Sequence, residues 1–165
     1  MNAPIGIDSL ASETKFLSIG IFCGLIPVKE ASEWADAKFH GQASPPSWLM
    51  EIAFASKEPS LVLVGKLDVI AQSLGVTKLR EAEVRRLLDR LVQAIDAKKF
   101  SPREAEFALR WVGENAPSND TLALELLVEE SRFHHRWQRD GELQYAWSDL
   151  RGWLVRARRD PSTAE

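Results

Sequence analysis

Glu130 and His134 stand four residues apart, which would set a carboxylate and an imidazole on one helix face. That is the smallest pair from which a metal site is built, but transition metals take three or four ligands, usually from a second element. His40, the remaining histidine outside the His134-His135 pair, lies in a predicted turn far away in sequence, and no H-E-x-x-H motif occurs. Arg132 and Arg136 flank the histidines and would oppose a cation, so the stretch reads as a solvated helix surface and no metal ligand is assigned. Cys23 could act as a nucleophile only as a thiolate beside a base or a cation. It ends the most apolar run of the chain, where the neutral thiol is favoured, and core packing is the better reading. G-x-S-x-G, G-x-x-x-x-G-K-[ST] and G-x-G-x-x-G are all missing. No catalytic residue and no cofactor site is assigned, and the chain leans away from being an enzyme.

Two other groups could recognise rather than react. Glu30, Glu33 and Asp36, joined by Glu51, spread acidic charge along the exposed side of one helix, either a solvated face or a docking surface for a basic partner. The six tryptophans are a surplus: Trp34, Trp48, Trp111, Trp137, Trp147 and Trp153. Trp137 sits between Arg136 and Arg139, and Trp153 lies off its helix's apolar stripe near Tyr145 and Arg156. Exposed tryptophan beside arginine is the composition of a binding hot spot, although cation–π packing within the chain uses the same pair. The candidate partner-binding residues are therefore Glu30, Glu33, Asp36, Trp137 and Trp153.

These residues need helices to position them. Ser12 is placed to cap a nearly all-apolar helix running to Cys23, with Gly24 as its stop. Pro27 opens a second helix with Val28, Ala31, Ala35 and Phe39 on its apolar stripe. Gly41 to Pro46 is a turn cluster, and Trp48, Leu49, Ile52 and Ala53 begin a shorter third helix. The segment from Ser60 to Leu74 is ambiguous, because Leu61 to Val64 would suit a strand. Leu63, Leu67, Ile70 and Leu74 keep helical spacing, and no second strand exists to pair with, so a helix is expected. Arg80 to Lys98 is the clearest amphipathic helix, with Val84, Leu87, Leu88, Leu91, Val92 and Ile95 on one face. Ser101-Pro102-Arg103-Glu104 is a capping box opening the next. Thr121 to Gln138 and Glu142 to Arg158 complete the set, the last with Leu143, Trp147, Leu150 and Leu154 as its expected buried stripe.

The expectation is an all-α, single-domain bundle of about seven to eight helices over residues 1–160, with 161–165 as a loose tail. At 165 residues the chain can bury a core without staples, and one cysteine excludes an internal disulfide. Net charge is -3, and arginine and glutamate are interspersed, so a nucleic-acid partner is not expected. A helix-turn-helix reading of Arg80 to Arg90 is interrupted by Glu81, Glu83 and Asp89. The apolar run from Phe16 to Pro27 is about half the length that spans a bilayer, and the first residues lack a basic leader region, so a cytoplasmic, non-membrane protein is expected.

The block Gly24-Leu-Ile-Pro-Val28, then Trp34-Ala-Asp36, then Pro45-Pro-Ser-Trp-Leu-Met-Glu-Ile-Ala53 resembles small bacterial all-helical proteins, including immunity-type partners of toxins. The resemblance covers about a fifth of the chain and implies a bacterial, non-enzymatic protein. The leading expectation is thus a protein that binds another protein, a toxin or effector, and occludes its active cleft. Two alternatives stay open: a helical ligand- or metal-binding protein or enzyme using Glu130, His134 and Glu51, and a homodimer formed through the Trp153 surface.

Overall fold

The computed structural model describes residues 7–118, 121–139 and 142–159; the expected tail and the Asp140-Gly141 break lie outside them. The fold is an all-α helical bundle, with eight α-helices and no strand among the described residues. The helices cluster in two compact units, residues 1–77 and 78–165.

In the first unit α1 (Ile7–Phe22) packs along α4 (Ser60–Ser73). Phe16, Leu17, Ile19 and Ile21 of α1 and Leu63, Leu67 and Ala71 of α4 are buried. The ambiguous segment is thus helical, because an apolar partner helix gives Leu63 and Leu67 somewhere to go. Ser12 does not cap α1: it is buried inside the helix, which begins earlier because Leu10 and Ala11 also enter the core. At the far end Gly24 takes φ +70°, and the amides of Leu25 and Ile26 both donate to the Gly20 carbonyl. This folds Ile26 back onto Gly20, where a Cβ would lie 2.3 Å from the Ile26 Cδ1. α2 (Val28–His40) and α3 (Ser47–Ala53) pack together, Ser32 donating to the Ile52 carbonyl at 3.1 Å and Trp34 stacking on Trp48 at 6.4 Å. One turn of 3-10 helix, Phe54–Lys57, leads on to α4.

The second unit holds α5 (Glu81–Asp96), α6 (Pro102–Asn115), α7 (Thr121–Trp137) and α8 (Leu143–Ala157). α5 buries Val84, Leu87, Leu88, Leu91 and Val92 as its periodicity requires. Its start is held by Glu83, which accepts from the Arg80 backbone N–H at 2.7 Å while pairing with the Arg80 guanidinium. The Ser101 capping box forms as read: the Glu104 amide donates to Ser101 Oγ, and the Ser101 amide donates to the Glu104 carboxylate at 2.7 Å. Small residues on α6, Ala105, Ala108 and Gly113, let α7 approach closely, so that a Cβ on Gly113 would meet Leu127 at 3.1 Å. α8 differs from expectation at its first turn. Ala146, Leu150 and Leu154 are buried, whereas Leu143 is 42% exposed and Trp147 half-buried, because the core begins one turn later than the apolar stripe.

Candidate functional site

The Glu130–His134 pair belongs to a network between α6 and α7. Glu130 is buried rather than solvated, a correction to the sequence reading, and accepts from the Arg110 guanidinium at 2.6 Å. Glu106, on α6, lies 3.0 Å from His134 Nδ1 and accepts from the Trp137 indole N–H at 3.1 Å. The hydrogen bond to Glu130 holds the Arg110 guanidinium even more firmly protonated than usual. Glu106 and Arg110 carried no signal in the sequence, since they look like any exposed i, i+4 pair until α7 docks opposite them. The network ties α7 to α6. With a guanidinium already on Glu130, it offers that carboxylate poorly to a metal ion. Among the described residues no three histidine, cysteine, aspartate or glutamate side chains gather as a metal cluster. Glu51, the third member of the alternative site, belongs to the first unit on α3.

Cys23 is buried, and desolvation pushes its thiol up to about 12. A thiol so far from ionising is no nucleophile near neutral pH.

The acidic residues of α2 lie opposite its buried side, formed by Ala31, Ser32 and Ala35. Lys29 stands 3.2 Å from Glu33 and His40 stands 3.4 Å from Asp36, while Glu30 is half-buried. Part of the acidic charge is therefore met within the helix itself.

The two candidate tryptophans have different surroundings. Trp137 is half-buried with its N–H held by Glu106. Trp153, also half-buried, stands where three adjoining concavities meet along α7 and α8. The first, about 380 Å³, runs past Phe133, Arg132, Arg136, Gly152 and Arg156. The second, about 520 Å³, reaches Arg85 and Arg159, and the third, about 330 Å³, is walled by Leu124 and Val128. Leu124 and Val128 are exposed and one helical turn apart, so α7 offers an apolar strip beside the indole.

The charges around Trp153 are mostly matched. Arg132 pairs with Glu129, Arg136 with Asp149, and Arg85 with Glu81. Arg156 has no ion-pair partner among the described residues, and neither have Glu125 and Arg159, which line the same concavities. The Arg156 guanidinium lies over Gly152, 3.7 Å from where a Cβ would stand. An aromatic surface, an apolar strip and an uncompensated guanidinium together can bind a side chain and a carboxylate presented side by side. The sequence pointed to Trp153, with Arg156 near it on the same helix. It could not show Leu124, Val128 and Arg132, which arrive from α7 by tertiary packing.

No helix among the described residues is long and apolar enough to cross a membrane. No protein-family model matches the chain, and no curated protein or solved structure matches it significantly.

Proposed function

We propose that this protein works by binding another protein, and that the α7–α8 groove around Trp153 is the contact. The observation that supports this most is Arg156, uncompensated beside a half-buried tryptophan at the meeting point of three concavities. The partner segment that fits is apolar with an acidic residue next to it: the apolar part covers Trp153 and Leu124, and the carboxylate takes Arg156. The resemblance of the opening block to immunity-type proteins directs the proposal toward a toxin or effector whose working cleft is covered. No reacting group is needed for that mechanism.

The test is a native pull-down from the source organism, with mass spectrometry and quantitative binding of whatever co-purifies in stoichiometric amount. Trp153→Ala should weaken binding by roughly 30-fold or more, as truncation of a hot-spot tryptophan does. A triple charge reversal of Glu30, Glu33 and Asp36 should leave affinity nearly unchanged if the groove is the contact. The opposite pattern would move the contact to α2.

A further inference from the structure

A further cavity in the 78–165 unit has a different character. It is about 610 Å³ and lies where the end of α5, the turn after it and α8 converge. Ile95, Phe100, Pro102 and Trp147 make its apolar walls, and Lys98, Ser148 and the Asp96–Arg151 pair supply the polar groups. That size and that balance are those of a small-molecule site, in which an apolar body is buried and a few polar groups fix its orientation.

The charges decide what class of molecule fits. Arg151 grips Asp96 with two hydrogen bonds, at 2.5 and 2.9 Å, so these two cancel. The bond from Arg151 holds the Asp96 carboxyl below its usual range, which keeps the pair ionised and closed. Lys98 has no ion-pair or hydrogen-bond partner for its ammonium among the described residues. The lining therefore carries one uncompensated positive charge.

Lys98 also stands where a lysine is costly. It follows the C-cap of α5 with φ +53°, and it is the non-glycine residue with positive φ among those described. At the ends of α1 and α4 the chain meets the same demand with Gly24 and Gly75. Glycine would close α5 equally well. A cation held in a left-handed conformation at the rim of an apolar cavity is a local cost that a ligand contact would explain.

We infer that this cavity binds a small amphipathic carboxylate, with its ring or alkyl body against Phe100 and Trp147 and its carboxylate on Lys98. The site meets the Trp153 groove only at Ser148 and does not depend on the protein-binding proposal. Naphthoate and its neutral counterpart naphthylmethanol are suitable probes, titrated into the full chain and followed by amide NMR. Naphthoate should bind saturably, shift the resonances of Phe100, Trp147 and Arg151, and bind roughly five-fold tighter than the alcohol, the size of one half-exposed ion pair. Lys98→Gly should abolish that preference while leaving the melting midpoint no lower, since glycine accepts the left-handed conformation. Loss of the preference in that variant is thereby separated from misfolding. Equal affinity for both probes, absence of saturable binding, or shifts centred on Trp153 instead would each overturn the inference.

Discussion

Lys15 shows what a buried charge demands at the scale of one residue. Its side chain lies in the α1–α4 interface, and its ammonium is held by Asp68 at 2.6 Å, with the carboxylate one-third open to water (33%). Removing the acid leaves the ammonium buried and unpaired, while replacing the lysine by an apolar residue of similar length removes the problem with the charge. Asp68→Ala should therefore cost about 2 kcal/mol, somewhat under the usual figure for a fully buried pair, and Lys15→Met less than about 1 kcal/mol. Urea unfolding of both variants checks this; a neutral Asp68→Ala would mean that the ammonium escapes to solvent. Cys23 makes a related point. With its thiol pushed up to about 12, alkylation of the native protein should be slow and should follow unfolding rather than thiol ionisation. Rapid labelling without loss of helical signal would refute that.

At the scale of elements, helix ends and close approaches carry the specific information. Gly20 is required by the contact of Ile26 with the α1 backbone, since any Cβ there would overlap the buried Ile26 side chain. Gly20→Ala should destabilise the protein by about 1–3 kcal/mol, the range for overpacking a core, even though alanine favours helix. A gain in stability would show that the turn after α1 can move. The α6 capping box predicts a pH dependence. The bonds from Ser101 lower the Glu104 pKa below its ordinary 4.5, so their contribution is present above that value and is lost as pH falls through the lower, folded value. Glu104→Gln should thus lower the melting midpoint near neutral pH and lose most of that effect in strong acid, where Glu104 is itself protonated. An equal deficit at both pH values would assign the effect to something other than the ionised Glu104. This box was legible in four consecutive residues because capping is local. The Ser12 cap failed as an expectation for the converse reason: Leu10 and Ala11 find tertiary burial, and burial outweighs a local stop signal.

On the scale of the whole molecule, the two compact units differ in charge. Residues 1–77 hold five lysines and eight acidic residues, whereas residues 78–165 hold sixteen basic and sixteen acidic ones. Residues 78–165 thus carry no net charge to steer a partner, so the proposed recognition at the Trp153 groove would rest on local contacts. Partner affinity should consequently vary little with salt, apart from the contribution of Arg156, which binding measurements across a range of ionic strength would show. Residues 78–165 also own a buried core, including Leu87, Leu88, Leu91, Leu109, Leu126, Phe133 and Leu154. Produced alone, they should keep a helical circular-dichroism spectrum and melt cooperatively. A non-cooperative melt would show that the unit depends on residues 1–77.

The sequence by itself determined the helices: their number, most of their ends, and the buried face of α5. Those properties depend on neighbours within a few residues, through periodicity, caps, proline and glycine. It also marked Trp153 as lying off its helix's apolar stripe, near Arg156. Tertiary structure alone decided that Glu130 is buried against Arg110, that Glu106 accepts from Trp137 and stands close to His134, and that Leu124 and Val128 stand beside Trp153. Each of those is a contact between helices far apart in sequence, and periodicity along one helix says which face is buried without saying which helix covers it.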